Sequence, residues 1–162
     1  FGKIITQEMN KPITQSISEV QKCALMTRYY AEAENILKPE KIKTEFRVSE
    51  IHSVPKGVIL GVMPWNFPFW QALRFAVPAI LAGNTIVLKH ASICFGSGNM
   101  IEKLFLKAGF PKGVFQNLEI GHEDVKKVLE NPIIKGVSLT GSEKAGAEVA
   151  SIAGKSIKES LL

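Results

Sequence analysis

Asn66 lies between two prolines, in Met63-Pro-Trp-Asn-Phe-Pro68. Each proline fixes its own φ and restricts the residue before it, so this loop is stiff. A carboxamide on a stiff loop can aim N–H donors at an oxygen on which negative charge develops. It can instead cap a helix starting at Phe67, and one side chain cannot easily serve both roles. Lys89 directly follows the apolar run Thr85-Ile-Val-Leu88. An ammonium there can hold ribose hydroxyls or a phosphate by charge-assisted hydrogen bonds, or can simply be solvated at a strand end. In Thr140-Gly-Ser-Glu-Lys-Ala-Gly146, Gly141 turns the chain and Ser142 opens a helix. The free N–H groups and dipole of that first turn favour an anion. Ser142 can donate its hydroxyl to a phosphate or act as a plain N-cap, and Gly146 permits close packing of helix on sheet. The G-x-G-x-x-G fingerprint of the standard dinucleotide loop is absent.

These three segments need a scaffold that brings strand ends together. Gly57 to Met63, Thr85 to Leu88, Val114-Phe115 with Leu118, and Gly136 to Leu139 are short apolar runs, as expected of parallel strands covered on both faces. Helical stretches follow them, near 67–82, 95–108, 123–130 and 142–153. Gly83 and Gly109 stand at two helix ends, Asn131-Pro132 stops a third helix, and Pro78 should kink the first. The right-handed crossover rule then predicts an α/β fold with an open, doubly wound, Rossmann-like parallel sheet. Ligands of such sheets bind beyond the carboxyl ends of the strands, where all three segments fall. Upstream, residues 12–37 read as a helix, with Pro12 in the first turn, a Ser16–Glu19 capping box and an apolar stripe of Ile13, Ile17, Val20 and Ala24. Residues 44–54 alternate as a half-buried or edge strand with Phe46, Val48 and Ile51 on one face, before a turn at Pro55-Lys56-Gly57. Ser156 to Leu162 reads as a further strand that stops without a polar cap, so the sheet is expected to be incomplete.

Composition narrows the class. At 162 residues, 46% hydrophobic and 22% charged, the chain is ordinary globular material. Its apolar runs are short of a membrane span, and Phe1-Gly-Lys-Ile-Ile-Thr-Gln-Glu has no signal-peptide layout, so a cytoplasmic location and no membrane partner are expected. The net charge of +5 comes from scattered lysines without interleaved aromatics, which is a solvated surface rather than a nucleic-acid face. Cys23 and Cys94 have no metal-ligand spacing and read as buried structural thiols.

Taken in order, these segments resemble the aldehyde dehydrogenase superfamily. Pro64-Trp-Asn-Phe-Pro68 is similar to its P-W-N-[FY]-P motif and Gly83-Asn-Thr-Ile-Val-Leu-Lys89 to its G-N-x-[VI]-[VIL]-x-K segment. Ala108-Gly-Phe-Pro-Lys-Gly-Val114 and Leu139-Thr-Gly-Ser142 also match. Lys89-His-Ala-Ser92, Phe115-Gln116 and Val137-Ser-Leu-Thr-Gly-Ser142 resemble the succinate-semialdehyde dehydrogenase branch, and most other branches carry Pro where His90 stands. The resemblance implies that the parent enzyme oxidises an aldehyde to a carboxylic acid, with Asn66 as the catalytic oxyanion donor. It places the cofactor against Met63, Pro64 and Trp65, against Lys89, Ala91 and Ser92, and against Gly121, Gly141, Ser142 and Ala145. No metal is implied. Many NAD-preferring members have Glu at the position of Ser92; serine removes a charge clash with a 2′-phosphate, so NADP is expected to be tolerated or preferred over NAD.

The same resemblance implies that residues 1–162 are part of an NAD(P)-binding domain. Residues 1–43 would be its helical beginning, 44–54 a strand of the oligomerisation hairpin, and 57–162 the Rossmann-like βα units. A homo-oligomer is expected. The family's general base, the Glu of an E-L-G-G motif, would follow Ser160-Leu-Leu162, and its nucleophilic cysteine would come later still. A thiolate attack, hydride transfer and general-base hydrolysis are therefore implied for the parent enzyme only. The competing readings are a nucleotide-binding module without turnover and a relative of the acyl-phosphate reductases. Trp65-Asn66 favours the aldehyde-oxidising branch.

Overall fold

The computed structural model describes residues 1–33 and 37–162. Its centre is a five-stranded, wholly parallel sheet in the order β5-β4-β3-β6-β7. The strands are β3 (Val58–Met63), β4 (Thr85–His90), β5 (Phe115–Asn117), β6 (Ile134–Leu139) and β7 (Glu159–Leu161), and the crossovers carry α3 (Pro68–Leu81), α4 (Phe95–Lys107), α5 (Val125–Glu130) and α6 (Glu143–Lys155). The chain starts in the middle at β3, winds outward to β5, then returns to the other side of β3. The doubly wound expectation holds, and its switch point lies between β3 and β6.

Alternation along β3 and β4 divides the interior into two cores. Ile59, Met63, Ile86 and Leu88 pack toward α3 and α4, together with Phe69, Leu73 and Ile101. Val58, Leu60, Val62 and Val87 pack toward α5 and α6, with Leu129, Val137 and Val149. Successive side chains of a strand point to opposite faces, so a strand covered on both sides is apolar along most of its length, with Lys89 and His90 only at the rim end of β4. At Gly61, in the middle of β3, a Cβ would lie 2.6 Å from Phe75 Cε1, and its absence lets α3 sit down on β3. Gly83 and Gly109 end α3 and α4 with φ of 85° and 90°, which an L side chain adopts only with strain. α3 runs on through Pro78. At Gly146 a Cβ would lie 4.0 Å from Leu162 Cδ1, an ordinary contact, so close approach is not what glycine provides there.

The amino-terminal region departs from expectation in four ways. A helix α1 (Gly2–Met9), which the sequence pattern does not announce, precedes α2 (Ile13–Glu32). The helix expected over 12–37 stops at Glu32; the stretch 34–36 lies outside the described residues. No capping box forms: Ser16 is inside α2, where its hydroxyl donates to Pro12 O at 3.3 Å. The buried side of α2 is Ser16, Glu19 and Cys23, while Ile13 and Ile17 are 43% and 46% exposed. That side is polar because Glu19 serves another helix.

Residues 44–54 do not form one strand. Two short strands, β1 (Glu40–Lys41) and β2 (Glu50–Ile51), pair antiparallel, and the Thr44 and Ser49 hydroxyls close the turn between them at 2.6 Å. Hydroxyls that satisfy each other and Phe46 N compete with the strand ladder at this point. Phe46, Val48, Ile51 and Val54 are left more than half exposed.

Candidate functional site

Each candidate residue sits at or just past the carboxyl end of a parallel strand, so all lie on one rim. Met63 ends β3 and is buried, Pro64 is half-buried, and Trp65 and Asn66 are exposed. Lys89 lies inside β4 opposite Val62, one residue before the strand ends, and is 8% exposed. Ala91 and Ser92 follow in a 3₁₀ turn (Ser92–Cys94), Gly121 follows β5, and Gly141, Ser142 and Ala145 follow β6. Backbone hydrogen bonds join the loops: Ala91 N donates to Met63 O at 3.0 Å and Thr140 N to Val62 O at 3.1 Å.

Ser142 and Asn66, each with two roles open in the sequence, differ in whether they cap a helix. Ser142 is the N-cap of α6, its Oγ accepting from Ala145 N at 3.3 Å. That bond uses an oxygen lone pair and leaves the hydroxyl proton available to an anion. Asn66 does not cap α3; Phe67 occupies the N-cap position without a side-chain hydrogen bond. Among the described residues the Asn66 carboxamide makes no hydrogen bond, whereas its backbone is held. Asn66 O accepts from Lys11 Nζ at 3.0 Å, and Trp65 O from Cys94 Sγ at 3.8 Å.

The first turn of α3 is capped from a distance. Pro68 has no N–H to satisfy, and the next two, Phe69 N and Trp70 N, both donate to Glu19 Oε1, at 2.9 and 3.0 Å. Glu8 of α1 does the same for α4, accepting from Gly96 N, Ser97 N and Ser97 Oγ. A carboxylate at a helix N-terminus meets both the orphan donors and the positive end of the dipole.

His90 ties the two loops beside the rim. It is fully buried, Nε2–H donates to Pro68 O at 2.9 Å, and Nδ1 accepts from Ala91 N at 2.9 Å. This pattern requires the neutral, Nε2-protonated ring. Burial pushes its pKa below the usual value, against the Pro68 carbonyl and the charges of Glu8 and Glu19, which favour the cation. Burial likewise lowers Lys89, partly opposed by Glu123. Glu123 belongs to the loop beyond Gly121, so that loop brings a carboxylate toward Lys89. Burial raises Cys23 and Cys94 to about 12, with nearby carboxylates adding to the effect, which disfavours the thiolate at both.

An open cavity of about 850 Å³ runs from this rim down the α3 side of β6 and β7, lined by Met63, Gln71, Arg74, Phe75, Ser138 and Thr140 among others. Lys56, also in its wall, is paired with Glu159 at 2.6 Å, while Arg74 forms no ion pair among the described residues. Lys11, Glu8, Glu19, His90 and Arg74 were not singled out from the sequence as contributors to the site. The only local signal was the polar side of α2, where Glu19 sits at helical spacing between Ser16 and Cys23.

A family model described as the aldehyde dehydrogenase family matches residues 1–162. A probable NADP-dependent succinate-semialdehyde dehydrogenase of Synechocystis sp. is 49% identical over all of this chain and 36% of its own length. The NADP-dependent succinate-semialdehyde dehydrogenase of Deinococcus radiodurans is 41% identical over 100% of this chain and 34% of its own. The crystal structure of succinic semialdehyde dehydrogenase from Streptococcus pyogenes, in complex with NADP+, superposes with a TM-score of 0.94 at 40% identity, covering 98% of this chain and 35% of that one. The chain thus spans about a third of the length of these relatives. No helix among the described residues is long and apolar enough to cross a membrane. With the motifs on one rim of a doubly wound sheet and a match along its whole length, the chain belongs to the aldehyde dehydrogenase family.

Proposed function

We propose that this chain forms the dinucleotide-binding wall and the oxyanion-holding amide of an NAD(P)-dependent aldehyde dehydrogenase that oxidises succinate semialdehyde. The observation that carries the reading is Asn66: its carboxamide is exposed at the switch-point rim and makes no hydrogen bond among the described residues, on a backbone that is held. The residues fit a dinucleotide. Lys89 is buried to 8% exposure at the rim and forms no ion pair among the described residues, the Ser142 hydroxyl proton is available at the start of α6, and Ser92 is exposed. Lys89 would hold the adenosine ribose, with Met63, Pro64, Ala91, Gly121 and Ala145 shaping the wall, and Trp65, Gly141 and Ser142 would border the pyrophosphate. When bound, the dinucleotide supplies the hydride acceptor. Asn66 would donate to the aldehyde oxygen as negative charge gathers there, the stage at which such a donor stabilises most. Arg74, a cation of the cavity wall with no ion pair among the described residues, would receive the substrate carboxylate. The thiolate and general base would come from outside these 162 residues, because neither Cys23 nor Cys94 qualifies.

Steady-state kinetics of the full-length enzyme test this. Asn66→Ala should lower kcat by roughly 100- to 1000-fold. Ser92→Glu should weaken NADP by about tenfold or more, ~1.4 kcal/mol, and leave NAD largely unchanged. Wild-type affinity for NAD exceeding that for NADP by the same factor would overturn the cofactor preference. The 162-residue chain alone should bind NADP, read by quenching of Trp65 fluorescence, and produce no NADPH.

A further inference from the structure

Buried side chains from separate elements converge beneath the Pro64–Pro68 loop, and each takes a different backbone group. Lys11, between α1 and α2, donates to Asn66 O; Glu19 of α2 accepts from Phe69 N and Trp70 N; His90 of β4 donates to Pro68 O. Lys11 and Glu19 are themselves joined at 2.6 Å, with side-chain exposures of 7% and 1%. The Lys11 ammonium also lies 3.6 Å from the centroid of the Phe67 ring. We propose that Lys11 and Glu19 are positioning residues for Asn66, an ion pair that sets the direction of its carboxamide by fixing the backbone that follows it. The inference rests on the reading of Asn66 as the oxyanion donor.

The physical case is one of location. A buried ion pair contributes little net stability, because desolvating both charges offsets their attraction, and apolar groups of the same size often do as well. Stability alone therefore does not account for a lysine and a glutamate here. Between them the pair occupies Asn66 O, one atom from the Cα that carries the donor, and the two N–H groups that begin the following helix. Rotation about the Asn66 ψ would break the Lys11 bond, and on the amino side Trp65 O is held separately by Cys94 Sγ at 3.8 Å. A donor held this way needs no reorganisation when charge develops on its target. A loop held only by its prolines would keep its shape but lack a fixed tilt against the sheet.

The experiment uses the full-length enzyme with Lys11→Met and Glu19→Gln combined, which removes both charges at nearly constant volume. Misplacement of a catalytic group by about 1 Å reduces rate on the order of 100-fold, so kcat should fall by at least tenfold while KM for NADP stays within about twofold. Lys11→Arg, which keeps the charge and the donors, should restore most of kcat. In an Asn66→Ala background the double variant should change kcat no further. A folded double variant with unchanged kcat overturns the proposal. So does one that lowers kcat by the same factor with or without Asn66, since the pair would then act elsewhere. Asn66→Ala with normal turnover would instead remove the oxyanion reading itself. If the double variant melts below the assay temperature, Glu19→Gln alone serves, because glutamine still accepts from Phe69 and Trp70; full activity in that enzyme also overturns the proposal.

Discussion

Lys89 and His90 are neighbours on β4 that point to opposite faces, and burial acts on each toward a different end. On Lys89 it leaves a cation short of solvent and in need of an anionic partner. On His90 it favours the neutral ring, which both of its hydrogen bonds require. The folded pKa of His90 lies below its unfolded value near 6.5, so the unfolded chain binds the extra proton first and stability falls as pH drops through and below 6.5. The Pro68 carbonyl, Glu8 and Glu19 oppose this, and Lys89 reinforces it. Urea denaturation between about pH 5 and 7.5 should show that loss, and His90→Gln, which keeps a donor toward Pro68, should flatten it. Equal pH slopes in the two proteins would refute the assignment. At this scale the rim positions of Asn66, Lys89 and Ser142 are legible in their neighbours in sequence: two prolines, an apolar run, a Thr-Gly turn. Lys11, Glu8 and Glu19 are not. Their partners lie from 8 to 89 positions away, and a lone charge on a helix reads as solvated until the fold is known.

The elements show the same divide between local and distant causes. Parallel strands announce themselves as unbroken apolar runs because both faces are covered, and the crossover helices follow from glycine stops and helical period. The helical period of α2 locates the helix but not its buried side, since its apolar stripe is partly exposed and the buried side carries Glu19. In the hairpin, the alternation of Phe46, Val48 and Ile51 suits a strand, yet the Thr44–Ser49 hydroxyl pair folds the segment back. Gly61 is the element-scale contact most open to test. Gly61→Val would force a side chain against the Phe75 ring and should destabilise by roughly 1–3 kcal/mol, measured by urea denaturation. Phe75→Leu in the same chain should recover part of that loss; no recovery would mean that the strain lies elsewhere.

For the molecule as a whole, the uneven feature is what its surfaces leave bare. α3 and α4 cover one face of β3, β4 and β5, with α1 and α2 packed on them, but the α3 side of β6 and β7 opens into the large cavity, and Leu161 and Leu162 are exposed. The hairpin carries Phe46, Val48, Ile51 and Val54 into solvent as a second apolar surface. Clusters of this kind mark association sites. Sedimentation of the 162-residue chain should therefore show concentration-dependent oligomers, and Val48→Lys with Val54→Lys should shift them toward monomer. Unchanged association would point to the bare face of β6 and β7 instead. The strand order has a further consequence, for synthesis. β3 is the first strand of the sheet to be made, but one of its two neighbours, β6, is encoded only at Ile134–Leu139. At roughly 5–20 residues per second, the newborn β3 waits several seconds with one edge unzipped. During that interval it is open to foreign strands, and a ribosome-associated chaperone would find its most useful target there.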